Sequence, residues 1–70
     1  MNTTFTTAAF ERSHGRKPRG RGEWGFQQSA SHRAFFEDLT GEMQFFRGTL
    51  TEAKAQAVAA GMTGIVAVLP

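Results

Sequence analysis

Between Ser13 and Gly22 the chain carries Gly15, Pro18, Gly20 and Gly22, four breakers of regular structure in ten residues. Glycine gives the backbone too much freedom and proline removes a donor, so neither a helix nor a strand ladder runs through this stretch. Regular structure must be assembled from residues 1–12 and 23–70, which is enough for one small domain and no more. A chain of 70 residues hides only about 60% of the surface its unfolded form exposes, so the seven Phe and one Trp are needed in the core. It is too short for a Rossmann domain, a kinase or a TIM barrel.

The same stretch concentrates charge. Arg12, Arg16, Lys17, Arg19 and Arg21 fall within ten residues that contain no acid. Elsewhere three cations face six acids, and the whole carries a net charge of +2. A cationic pole on a mildly acidic body attracts phosphates or acidic protein surfaces and steers association with them.

On either side the patterning predicts short elements. Thr3–Glu11, rich in Thr and Phe, reads as a strand, although Phe5 and Phe10 need an irregularity to share a face. Trp24 and Phe26, two apart, place Glu23–Gln28 in a second strand, and the two strands are expected to form a hairpin joined by the basic loop. Ser29–Gly41 reads as a short turn or helix, with Ser31 as a candidate cap. Glu42–Arg47 fits a third strand. Thr49-Leu50-Thr51-Glu52 spells a capping box, Leu50, Ala53, Ala57 and Val58 follow at helical spacing, and Gly61 stands at the stop, which predicts a helix from about Leu50 to Ala60. Ile65–Leu69 is a β-branched run ended by Pro70. The expectation is a single α+β domain of two layers, β-β-β-α-β, with one helix on a four-stranded, mainly antiparallel sheet.

Gly15–Arg21, GRKPRGR, resembles the core of an AT-hook, a peptide motif that lies in the minor groove of AT-rich DNA. The resemblance implies that Arg19, Gly20 and Arg21 run along the groove floor, with the flanking cations on phosphates. The physics suits it, since a narrow minor groove focuses negative potential and glycine lets the backbone approach. The match covers seven residues and departs at Gly22, where the family has proline. Arg21–Phe26 is loosely similar to the RNP1 pattern of RNA-binding domains, but Glu23 interrupts it, and Trp24 and Phe26 are read instead as core. Gly20, Gly22 and Gly25 spell GxGxxG without the helix that a dinucleotide site requires. The P-loop spacing of Gly15 and Gly20 lacks the Lys-Ser/Thr pair. In the KH-like GxxG of Gly22–Gly25, an acid stands where phosphate would lie.

His14 and His32 are the only histidines and could serve as acid and base in a small toxin-like ribonuclease. With no cysteine, disulfides and thiolate metal sites are excluded, no metal or cofactor is expected, and a cytoplasmic location fits best. No apolar run approaches the roughly 18 residues of a membrane span. The preferred reading is a non-enzymatic binding or regulatory protein. Its partner-binding residues are Arg12, Arg16, Lys17, Arg19, Gly20 and Arg21, and its target is DNA, RNA or a nucleoprotein machine. A phage-type inhibitor docking on an acidic surface of a host protein is the alternative, because arginine forks suit carboxylates and phosphates alike.

Overall fold

The computed structural model describes residues 3–69, and its elements run β1 (Thr3–Thr6), α1 (Ala8–His14), β2 (Arg21–Ser29), β3 (Leu39–Thr49), α2 (Leu50–Ala59) and β4 (Gly64–Leu69). A single 3-10 turn, Phe36–Asp38, leads into β3. The fold is α+β with one four-stranded sheet in the order β1-β4-β2-β3. β2 lies antiparallel to both β3 and β4, whereas β1 lies parallel to β4. β3 and β4 therefore run in the same direction with β2 between them, and the chain must cross over one face of the sheet to join them. α2 is that crossover.

Five expectations are corrected. The sheet is mixed, antiparallel at two of its three seams and parallel at the third, the described residues form two helices rather than one, and the order is β-α-β-β-α-β. The segment Thr3–Glu11 is not one strand: it switches at Thr7 into α1. Ala8 and Ala9 are strong helix formers, and Thr7 ends the strand. The Thr7 hydroxyl donates to the Glu11 carboxylate at 2.6 Å, and Gly15, with φ +69°, closes the helix in the left-handed conformation through an N–H bond to the Glu11 carbonyl. This switch is also the irregularity that the odd spacing of Phe5 and Phe10 required, since both rings reach the same core cluster. Finally, β1 and β2 form no hairpin. β1 takes its hydrogen bonds from β4 instead, and α1 follows beyond its end, giving Phe10 to one cluster and Ala9 to the other.

The face under α2 holds the main core. Phe26, Val66 and Val68 are fully buried, and Ala53 and Ala57 of α2 meet them with no exposed surface. Phe26 lies 5.5 Å from the Phe5 ring and 5.8 Å from the Phe46 ring, and Trp24 lies 6.1 Å from Phe10. Val58, expected on the buried stripe, is half exposed, because it sits one position and about 100° round from Ala57.

The α2 termini form as the sequence predicts. Thr49 and Glu52 complete both halves of the capping box. At the other end Met62 N–H reaches the Ala57 carbonyl and Gly61 N–H the Val58 carbonyl, a Schellman closure in which Gly61 has φ +93°.

The opposite face carries a smaller cluster of Ala34, Ala67 and Leu69, with Ala9 and Leu39 packed against it. β2 and β3 slip register between Phe26 and Gln28, where Gly41, with φ +75°, takes the bulge. Among the described residues no helix is long and apolar enough to cross a membrane.

Phe26→Ala removes the ring that touches three strands and the helix. The expected cost is about 3–5 kcal/mol, against a total stability of roughly 0.05–0.15 kcal/mol per residue. Urea unfolding should show the variant's midpoint far below that of the parent. A midpoint close to that of the parent would mean that the core is organised elsewhere.

Candidate functional site

The five cations of the basic segment divide into two anchors and three projecting groups. Arg12, in the last turn of α1, donates from its guanidinium to the Arg33 carbonyl at 2.6 Å and to the Ala34 carbonyl at 2.8 Å. The same group lies 4.6 Å from the centre of the Phe35 ring. Ala34 is buried and held at φ +52°, a left-handed conformation that a non-glycine residue adopts only under constraint. Arg12 is therefore a latch on the Ser31–Phe35 segment.

Arg21, the first residue of β2, pairs with Glu52 of α2 at 3.2 Å. Glu52 also accepts the Thr49 N–H at 2.9 Å, and the Trp24 indole N–H donates to the Gly48 carbonyl at 2.9 Å. These bonds tie the foot of the loop to the β3–α2 corner. Gly48 is required there twice over, by its φ of +126° and because a Cβ would stand 2.9 Å from the Glu52 carboxylate.

Between the anchors the chain arches from Gly15 to Gly20, both at positive φ with open space around them. Pro18 fixes its own φ and disfavours helical backbone at Lys17. Arg16, Lys17 and Arg19 are exposed and form no hydrogen bond or ion pair among the described residues. Of the residues singled out in the sequence, then, Arg16, Lys17 and Arg19 share the arch, Gly20 turns it, and Arg12 and Arg21 fasten its ends. Arg19 and Arg21, the two arginines of the AT-hook-like core, stand on either side of that turn, one in the loop and one in the sheet.

Sequence reasoning missed Arg47. It lies opposite Glu23 in the β2–β3 register and pairs with it at 3.6 Å, and the two line a cleft of about 310 Å³ with Arg21, Gly22 and Gly48. The available signal was its spacing: Arg47 stands two residues from Phe45 on a strand and so shares its face, while Phe46 points to the core.

His14 stacks on Phe10 with ring centres 4.1 Å apart. His32 lies in the turn after β2, where its carbonyl accepts the Thr6 hydroxyl. No hydrogen bond joins the two imidazoles, and no group of three metal-ligating side chains forms, among the described residues. Compared with protein families, with curated proteins and with solved structures, the chain matches none at a significant level.

The anchor at the foot of the loop is acid-sensitive. The Thr49 backbone N–H first, then the Arg21 charge and the Thr49 hydroxyl, hold the Glu52 carboxyl below the usual glutamate range. A depressed carboxyl contributes stability that is complete above its unfolded pKa and is lost as pH falls through the folded one. Thermal melts of the parent and Glu52→Gln should therefore differ at neutral pH and converge as the pH drops below the ordinary glutamate range. A gap that stays constant or widens in acid would show that the carboxylate charge has no part in fastening the loop.

Proposed function

We propose that this protein is a non-catalytic nucleic-acid-binding module whose contact element is the Gly15–Gly20 arch. The observation that carries this reading is the partition of the cations. Two of five are fastened to the body, while Arg16, Lys17 and Arg19 project together, without protein partners among the described residues, from a segment whose two ends are held. A flexible tail with the same charges would lose conformational entropy on binding, and a tethered arch loses less. Solubility alone does not need three cations in four residues on a chain with a net charge of only +2.

Each part of the basic segment then has a role. Arg16, Lys17 and Arg19 meet phosphates, Gly20 lets the backbone come close, and Arg21 and Arg12 set where the arch begins and ends. Arg21 and Arg47, each sharing an exposed acid, extend the cationic rim toward β3. Exposed pairs of this kind are worth about 0–1 kcal/mol, so either guanidinium can turn to a phosphate at small cost. The non-catalytic part of the reading is supported by the histidines, of which one is stacked on Phe10 and the other set in a separate turn.

Salt titration tests this. Neutralising phosphates releases counterions, so the logarithm of affinity for a labelled oligonucleotide should fall linearly with the logarithm of salt, at about −0.7 to −0.9 per contact. Replacing Arg16, Lys17 and Arg19 together by Gln should flatten the slope by about two to three units while leaving the thermal midpoint near that of the parent. A parent slope near zero, or a slope that the triple variant keeps, rejects the arch as the contact element.

A further inference from the structure

The sheet face opposite α2 is only partly covered. Over β1 and β4 the Ser31–Phe35 segment closes it, with Ala34 packed on Ala67 and Leu69. Over β2 and β3 the apolar side chains stay open: Phe45 is 59% exposed and Met43 40% exposed. Their floor is Gly25, which pairs with Phe45 across the strands and is closely covered, since a Cβ there would stand 3.0 Å from the Met43 sulfur and 3.3 Å from the Phe45 ring and those side chains would have to give way by a few tenths of an ångström. Arg47 follows Phe45 on the same face, two residues along the strand. The foot of the cationic arch, Arg21, lies four residues before Gly25 along β2, roughly 14 Å away.

We propose that this open half-face is a stacking platform for single-stranded RNA, with Phe45 as the ring on which a base lies, Gly25 and Met43 as its floor, and Arg47 beside it. The inference rests on the nucleic-acid reading of the arch and gives it a substrate class. Charge complementarity selects the occupant. Arg16, Lys17 and Arg19 of the arch make one end of the platform cationic, while Glu42 beyond Met43 is acidic, so a strand whose base stacks on Phe45 runs its phosphates toward the arch. Glu23 pairs with Arg47 at 3.6 Å, so these two charges offset each other beside the platform. One ring gains from stacking a base about what it costs to unstack one base-pair step, so the platform does not open a duplex. Its target is a strand already open, which RNA loops and ends supply.

The test is fluorescence anisotropy with a labelled unstructured RNA of twelve nucleotides, the same strand annealed to its complement, and a DNA strand of the same sequence. The parent should bind the single-stranded RNA more tightly than the duplex and at least as tightly as the DNA. Phe45→Leu, which keeps an apolar cover over Gly25 but removes the π-face, should weaken single-strand binding about 5- to 50-fold with an unchanged salt slope, and Phe45→Trp should restore it. Circular dichroism melts confirm that both variants are folded. Equal affinity of parent and Phe45→Leu for the RNA overturns the platform, as does a preference for duplex or for DNA. A concentration-dependent dimer that Phe45→Leu converts to monomer in sedimentation also overturns it, by assigning the face to a second copy. If the arch variant loses binding while Phe45→Leu keeps it, the platform alone fails. If Phe45→Leu loses binding while the arch variant keeps both affinity and slope, the arch reading fails and the platform stands.

Discussion

Everything in this molecule hangs on the fit between Phe26 and the two alanines of α2. Phe26 sits on the one strand that has antiparallel neighbours on both sides, and its ring reaches those of β1 and β3. Ala53 and Ala57 have no bulk, so the crossover helix closes directly onto it. A small domain gains most from dense contact of this kind, because it has little apolar area to bury in any other way. Trp24 carries the same core outward. Its ring touches Phe10 of α1, and its indole N–H fastens the glycine that turns β3 into α2. The two supports of the basic loop are thus joined through one indole.

This coupling explains how a glycine-rich segment acquires a defined place. Arg12 spends its donors on two carbonyls of a constrained turn, and Arg21 shares a carboxylate with a helix cap. The first is an arginine task, since a lysine ammonium lacks the planar fork that reaches both carbonyls while sitting over the Phe35 ring. The remaining cations have no such duty, and the division between structural and projecting charge follows the position of each residue relative to Gly15 and Gly20.

Much of this was legible in the sequence, and the rest was hidden for physical reasons. The capping box of Thr49 and Glu52, the stop at Gly61, the burial of Trp24 and Phe26 and the final strand all follow from local chemistry, and local chemistry is what a sequence displays. The switch at Thr7 was masked because Thr and Phe favour strands, while a seven-residue helix is held by the docking of Phe10 rather than by its own propensity. The parallel β1–β4 pairing was masked because nothing near Thr3 refers to Gly64. In the basic segment the run of cations was plain. Which of them are fastened was not, because their partners, the Arg33 and Ala34 carbonyls and Glu52, lie far along the chain.

That parallel pairing has a mechanical side. The Thr3 hydroxyl meets the Met62 carbonyl across 59 residues of sequence, and closing so long a loop costs roughly 3.5 kcal/mol of chain entropy before any contact repays it. β2, β3 and α2 are contiguous and can assemble first, with β4 docking beside β2. The four residues of β1 then complete the edge as a late clasp, with little apolar area beyond Phe5 to hold them. The seam between β1 and β4 thus carries the largest loop-closure cost of any in the sheet.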